Sequence, residues 1–134
     1  MEDVFVARLM STALHTVTPD TLVEDAAQLI LDNNISSVVV VDEDNRLEGI
    51  LTTTDFVDIV AKSQPKAQTT VERYMTTDVI TAGAQDSIVA VAESMTEHGF
   101  HHMPVVDEEE GVIGMLSTTD LTAYLSYVEQ PSPT

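Results

Sequence analysis

Two short stretches concentrate the polar chemistry of this chain: GILTTTD at 49–55 and GMLSTTD at 114–120. Each sets a run of hydroxyls, Thr52-Thr53-Thr54 or Ser117-Thr118-Thr119, directly ahead of a carboxylate, Asp55 or Asp120. Hydroxyls donate and accept hydrogen bonds, whereas an ionised carboxylate only accepts. Such a set either caps the start of a helix or forms half of a binding apparatus.

Other residues with chemical potential converge less well. His98 precedes Gly99 at an expected helix end, so His98 and His101 do not share a helical face. His101 and His102 are adjacent strand residues and point to opposite faces. A zinc site needs three or four convergent ligands, so a partly exposed histidine pair is expected and no metal. The acidic runs at 42–44 and 107–110 lack the ligand spacing of a calcium loop and read as solvated turns. Cysteine is absent, which excludes disulfides, thiolate metal sites and cysteine nucleophiles. No Ser-His-Asp order, P-loop or paired-carboxylate signature stands out, so no catalytic residue is nominated and no enzyme is expected.

The elements that must position the two stretches follow from an internal repeat. A shift of 65 residues aligns 6–57 with 71–122 without a gap, and 15 of those 52 positions are identical. Unrelated segments would share about one position in sixteen, so the chain is a tandem duplication. Each copy opens with an extended piece, LHTVTP (14–19) or VITAG (79–83). A helix follows, with Val23, Ala26, Ala27, Ile30 and Leu31, or Ile88, Val91, Ala92 and Met95, at helical spacing. Asp20-Thr21 and Asp86-Ser87 are expected to cap these helices, and Asn34 and Gly99 to stop them in the left-handed conformation. A strand (37–42 or 102–107), an acidic turn and a second strand form a hairpin. The last helix starts at the TTD element and carries Phe56, Ile59 and Val60, or Leu121, Tyr124, Leu125 and Val128.

The expected organisation is therefore a first repeat over 1–64 with its N-terminal segment, a second over 65–128, and a flexible tail at 129–134. The halves are joined through KSQPKAQ (62–68). Neither β-α-β-β-α copy can bury both sheet faces alone. The fold expected is α+β, two repeats packed through their sheets with pseudo-two-fold symmetry.

Bulk properties narrow the setting. Hydrophobic residues make up 43% but aromatics only 4%, so aliphatic side chains and six methionines must fill the core. With 23 acidic and 5 basic residues the formal charge is -18, which disfavours nucleic acid and anionic membranes. Acid dispersed along the chain, with Lys62 and Lys66 the only lysines, is the style of a salt-accumulating cytoplasm. No secretory signal or membrane-spanning apolar run is present, so a cytoplasmic location is expected.

The repeat resembles the CBS domain, and the tandem resembles a CBS pair, or Bateman module. The resemblance rests on VEDAAQLILDNNISSVVVVDEDNRLEGILTTTDF and IVAVAESMTEHGFHHMPVVDEEEGVIGMLSTTDL. It implies a stand-alone regulatory sensor that binds an adenosine-containing ligand (AMP, ADP, ATP or S-adenosylmethionine), with Mg as a companion ion of a nucleotide, in the cleft between repeats. It also implies a disc-like homodimer that signals to an unknown protein effector. By the resemblance, Asp55 and Asp120 would hold ribose, while Thr52, Thr54, Ser117 and Thr119 would face phosphate. Thr16, Val17, Val38, Val39, Ile80, Thr81, His102, Met103 and Pro104 would line the base pocket. A helix N-terminus can bind an anion without lysine, which suits a chain this poor in cations. The second copy is expected to be better equipped, because Met103-Pro104 restores the family's apolar-Pro element and His101-His102 adds a donor. The alternative is a module that binds no ligand, whose TTD elements only cap helices and whose surface serves assembly.

Overall fold

A computed structural model describes residues 4–62 and 69–128 of the 134. The expected linker (62–68) and tail (129–134) fall largely or wholly outside the described residues. In chain order the elements are α1 (Val6–Leu9), β1 (Thr16–Val17), α2 (Val23–Asn33), β2 (Ser37–Val41), β3 (Leu47–Thr52) and α3 (Thr53–Ala61). A 3-10 turn at Val71–Arg73 follows, then α4 (Ile88–His98), β4 (His102–Asp107), β5 (Gly111–Ser117) and α5 (Thr118–Val128). The β-α-β-β-α order expected of each copy is present, except that 79–83 contributes a single parallel bridge, Ala82 to Val105, in place of a strand. That bridge is the repeat image of Val17 against Val40, so the backbone arrangement is the same in both copies.

The described residues divide into two compact units. The first contains 14–62, 69–79 and 109–112; the second contains 4–13, 80–108 and 113–128. The units do not follow the chain order of the repeats. In the second unit Val6 N–H donates to the Asp86 carbonyl (2.9 Å) and Ile88 N–H to the Val4 carbonyl (2.9 Å). In the first, Val71 N–H donates to the Thr21 carbonyl (2.8 Å) and Val23 N–H to the Thr69 carbonyl (2.9 Å). The same backbone bonds thus recur 65 residues apart. The segment that opens each aligned copy packs against the other copy's helix and strands.

In the first unit β2 lies between β1, parallel, and β3, antiparallel, with Thr16 opposite Val39 and Ser37 opposite Thr52. Its core is Val17, Ala26, Ile30, Val38, Val40, Leu51 and Val71. The core of the second unit includes Val6, Ala82, Ile88, Val91, Met95, Met103, Val105 and Leu116. The aliphatic and methionine interior expected from composition is what forms.

Helix ends agree only in part with expectation. Asn34 (φ 51°) and Gly99 (φ 71°) terminate α2 and α4 in the left-handed conformation, as their types predict. Ser87 caps α4 by accepting from Val89 N–H (3.2 Å), but Asp86 turns back to Gly83 N–H (2.8 Å). Asp20 and Thr21 do not cap α2. Its N-cap is Leu22, without a side-chain bond. Thr21 Oγ1 instead accepts from Thr18 N–H (3.1 Å), and Thr18 Oγ1 donates to Asp20. The Thr69 carbonyl takes the Val23 N–H, relieving part of the need for a side-chain cap.

Candidate functional site

Each hydroxyl-and-acid stretch sits where a strand runs straight into a helix, β3 into α3 and β5 into α5. At the first junction Thr52 is the N-cap and Asp55 the third helical residue. Asp55 N–H donates to Thr52 Oγ1 (3.3 Å), and Thr52 N–H donates back to Asp55 Oδ2 (2.8 Å). This is a reciprocal capping box with an aspartate in the usual glutamate place. The second junction repeats it: Asp120 N–H donates to Ser117 Oγ (3.1 Å) and Ser117 N–H to Asp120 Oδ2 (2.9 Å).

The first helical amide is also engaged. Thr53 N–H donates to the Ser36 carbonyl and Thr118 N–H to the His101 carbonyl, both at 3.0 Å. Of the amides around each helix start, only the N–H of Thr54 and of Thr119 has no acceptor among the described residues. Thr54 and Thr119 are exposed, and Thr52, Asp55, Ser117 and Asp120 are half-buried. Each junction therefore offers one open amide, an exposed hydroxyl and the second oxygen of a carboxylate. An anion can meet that amide without breaking the cap; a larger demand for donors must be met by side chains.

The nominated residues gather by unit. Thr16, Val17, Val38, Val39, Thr52, Thr54 and Asp55 lie in the first, and Ile80, Thr81, His102, Met103, Pro104, Ser117, Thr119 and Asp120 in the second. In the first, the sheet register carries Thr16 beside Val39 and brings β2's start to Thr52. In the second, Ala82 N–H donates to the Pro104 carbonyl (2.9 Å), which holds Ile80-Thr81 alongside His102–Pro104. Thr16 and Thr81 are exposed, whereas Val38, Val39, Met103 and Pro104 are fully buried. Met103 and Pro104 can thus shape the site's floor through their backbone more than through their side chains.

The histidines separate as the strand geometry requires. His101 is exposed and His102 half-buried. His98 is exposed, its Nδ1 2.9 Å from the Ser94 carbonyl and its ring stacked on Phe100. Among the described residues no group of three or more His, Asp or Glu could hold a metal ion. Burial, then the neighbouring His101, push the His102 pKa below its ordinary value, while the Asp120 carboxylate opposes them.

A feature not nominated from sequence lies in the second unit. A groove of about 610 Å³ runs between α4 and α5, lined by Ile88, Val89, Ala92, Leu121, Tyr124 and Leu125 and rimmed by Glu93 and Glu97. None of its lining residues belongs to the nominated ligand set. The helical apolar stripes were visible in sequence, but they are wider than the core needs: Leu125 is 49% exposed, and in the first unit Leu31, Val57 and Val60 are 68–72% exposed.

These features define a class: a duplicated α+β protein with one capped strand-to-helix junction per copy. The CBS domain family model matches residues 6–62 and again 71–127. The chain belongs to the CBS domain family, as a tandem pair, and its α+β fold is that of CBS pairs. A 17.7 kDa uncharacterized protein of Acidianus ambivalens is 31% identical over 90% of this chain and 72% of its own length. The homoserine O-acetyltransferase of Methanosalsum zhilinae is 31% identical over 90% of this chain, which spans only 24% of that relative. Among solved structures, the CBS domain pair of protein MJ0100, in complex with 5'-methylthioadenosine and S-adenosyl-L-methionine, superposes with a TM-score of 0.88. It is 26% identical and covers 96% of this chain and 100% of its own. Among the described residues no helix is long and apolar enough to cross a membrane.

Proposed function

We propose that this chain is a regulatory module that binds an adenosine-containing ligand at its strand-to-helix junctions and passes occupancy to a protein effector. The observation that carries the reading is the duplicated junction, each with an open amide at Thr54 or Thr119 beside hydroxyls and a carboxylate. It occurs in a fold whose relative MJ0100 is complexed with adenosyl compounds. A carboxylate oxygen not used by the cap suits a ribose hydroxyl, and the open helix-start amide suits an anionic or polar 5' group. Asp55 and Asp120 hold ribose in this reading, Thr54 and Thr119 face the 5' substituent, and Mg enters with a triphosphate ligand. The activity is binding, not catalysis. Calorimetric titration of the full chain with S-adenosylmethionine, 5'-methylthioadenosine, AMP and ATP in molar KCl tests it. Saturable heat for at least one is expected; silence from all four, with no thermal shift, overturns the reading.

The chain works as a homodimer in this proposal. Val60 and Leu125 are repeat images of one another, and each is an exposed apolar residue on the last helix of its copy. Such residues are suited to a self-complementary contact with a second copy. Leu125→Glu should shift the chain to monomer in light scattering while leaving its circular dichroism intact. A chain that is already monomeric without the substitution refutes the contact. The acid-rich surface suits a salt-rich cytoplasm and argues against nucleic acid as a partner.

One observation favours the alternative of a non-binding assembly module. Both capping boxes are closed by the chain's own residues, so the TTD elements already have a complete structural use. The same titration separates the two readings.

A further inference from the structure

The segments that open each aligned copy and pack on the other copy end in a matched pair of contacts. Met10 and Met75 stand 65 residues apart, as do Gly49 and Gly114. In the second unit the Met10 thioether lies on Gly114 of β5, so close that a Cβ there would stand 2.6 Å from Sδ. In the first unit Met75 lies on Gly49 of β3, where a Cβ would stand 3.0 Å from Sδ. Both glycines are buried, and both methionines are half-buried against the core of their unit. The next residue of each segment forms a two-bond antiparallel bridge to the same strand. Ser11 N–H donates to the Met115 carbonyl (2.8 Å), and Met115 N–H donates back (3.0 Å). Thr76 N–H donates to the Ile50 carbonyl (2.9 Å), and Ile50 N–H donates back (3.0 Å). Each sulfur is thus seated beside the bonds that hold the C-terminal end of an exchanged segment. Sulfur chemistry falls to methionine alone, because cysteine is absent. Met95, Met103 and Met115 are 3%, 1% and 9% exposed, so among the described residues Met10 and Met75 are the methionines that solvent reaches most readily.

We propose that Met10 and Met75 are paired sites of reversible oxidation, and that conversion of their thioethers to sulfoxides frees the ends of the exchanged segments. Hydrogen peroxide is the oxidant. A sulfur lone pair takes one of its oxygens: the S–O bond forms, the O–O bond breaks, and the other oxygen leaves as water. Sulfur gives up two electrons in the step. A dithiol-driven sulfoxide reductase reverses it, the sulfoxide oxygen leaving as water while the dithiol becomes a disulfide. The product places a polar, hydrogen-bond-accepting group in an apolar seat. Glycine offers no side chain that could move aside, so an oxygen directed at the strand meets its backbone. An oxygen directed at water turns the side chain off the strand. Either way the bridge beside it, Ser11 with Met115 or Thr76 with Ile50, loses its apolar cover.

Brief treatment of the full chain with hydrogen peroxide, followed by peptide mass mapping, gives the order of oxidation. Met10 and Met75 should gain oxygen before Met95, Met103 and Met115. Residue-resolved hydrogen exchange then reads the consequence. In the oxidised chain the amides of Ser11, Met115, Ile50 and Thr76 should exchange about fivefold to thirtyfold faster, the span that a weakened local contact produces. The amides of Val6, Ile88, Val23 and Val71, which tie the other end of each segment, should keep their native rates. Incubation with a methionine sulfoxide reductase and its dithiol should restore slow exchange at the bridges. The double variant Met10→Leu with Met75→Leu keeps apolar side chains of similar size without the sulfur. Its bridge amides should exchange slowly both before and after peroxide, although its remaining methionines, Met1 included, are still open to oxidation. Three outcomes overturn the proposal: oxidation of the buried methionines first, native rates at the bridges once Met10 and Met75 are oxidised, or equal acceleration at both ends of the segments. Equal peroxide sensitivity of the double variant overturns it as well. The mapping and the exchange rates are read on the native sequence, so they decide the matter even if the variant does not fold.

Discussion

Asp55 and Asp120 each serve a helix with one oxygen and leave the other oxygen without a hydrogen bond among the described residues. Removing either carboxylate has two separable consequences. Asp55→Ala and Asp120→Ala should each lower stability by about 0.5–2 kcal/mol, the usual range for a lost cap, read by chemical denaturation. For AMP, Asp120→Ala should cost more affinity than Asp55→Ala; the opposite order in calorimetry would make the first junction the better equipped. His102 makes a prediction of its own. Its folded pKa lies below the unfolded value of about 6.5, so between the two values the unfolded chain binds more protons. The stability due to neutral His102 is complete above about pH 6.5 and is lost as pH falls through the lowered value. His102→Gln should therefore melt closer to, or above, the native sequence as pH drops from about 7 to about 5. A midpoint difference that does not change with pH would show that burial of His102 has no such consequence. The residue types at the junctions were legible because hydroxyls and acids next to a strand end have few other uses. The division of Asp oxygens between cap and solvent was not legible, because it depends on side-chain geometry that spacing does not specify.

At the scale of elements, hydrophobic period marked α2 and α4, which each bury one face, and continuous apolar runs marked the hairpin strands, whose consecutive residues are buried. Two short elements, α1 and the turn at Val71–Arg73, were not read from the sequence, and neither was the exchange of the segments that carry them. Their attachments are backbone bonds, such as Val6 N–H to Asp86 and Val71 N–H to Thr21, which leave no side-chain signature. Val6 and Val71 are moreover identical in type, so no pattern could say which copy each would join. The acidic turns likewise read as solvated, yet one of them holds a built contact. Asn45, at φ 63°, donates from Nδ2 to the carbonyls of Glu110 (2.9 Å) and Val112 (2.8 Å). Val112 N–H in turn donates to the Asn45 carbonyl (3.0 Å). Gly111 lies within this clasp at φ 81°, where a Cβ would stand 2.1 Å from the Asn45 carbonyl oxygen. Gly99 has a similar φ of 71° but open space around it. Gly99→Ala should therefore cost only the left-handed penalty, about 1–2 kcal/mol. Gly111→Ala adds displacement of a hydrogen-bonded backbone carbonyl and should cost upwards of about 3 kcal/mol. Equal denaturation midpoints for the two variants would show that the clasp yields easily.

For the whole molecule, charge is the property that no single contact explains. The sequence carries 23 acidic residues and only 5 basic ones, and the exposed pair Lys62–Asp58 (3.0 Å) can return little of the resulting repulsion. No polar or charged side chain is buried among the described residues, so the excess negative charge sits where solvent ions can reach it. Unfolding spreads that charge and relieves it, which makes the folded state the one that gains from screening. The Debye length falls from about 10 Å at 0.1 M salt to about 3 Å at 1 M, so exposed charges farther apart than that are largely screened. The thermal midpoint should accordingly rise steeply with KCl up to about 1 M and flatten beyond it. The same screening lowers the repulsion between two chains of -18 each, so the proposed homodimer should tighten over the same interval. Both changes can be followed in one salt series by calorimetry and light scattering. An uncharged osmolyte at matched osmolality separates screening from general exclusion of solute, since it stabilises by exclusion alone. If the osmolyte reproduces the full gain in midpoint, or the midpoint is flat from low salt upward, repulsion among the surface carboxylates is not what limits this fold.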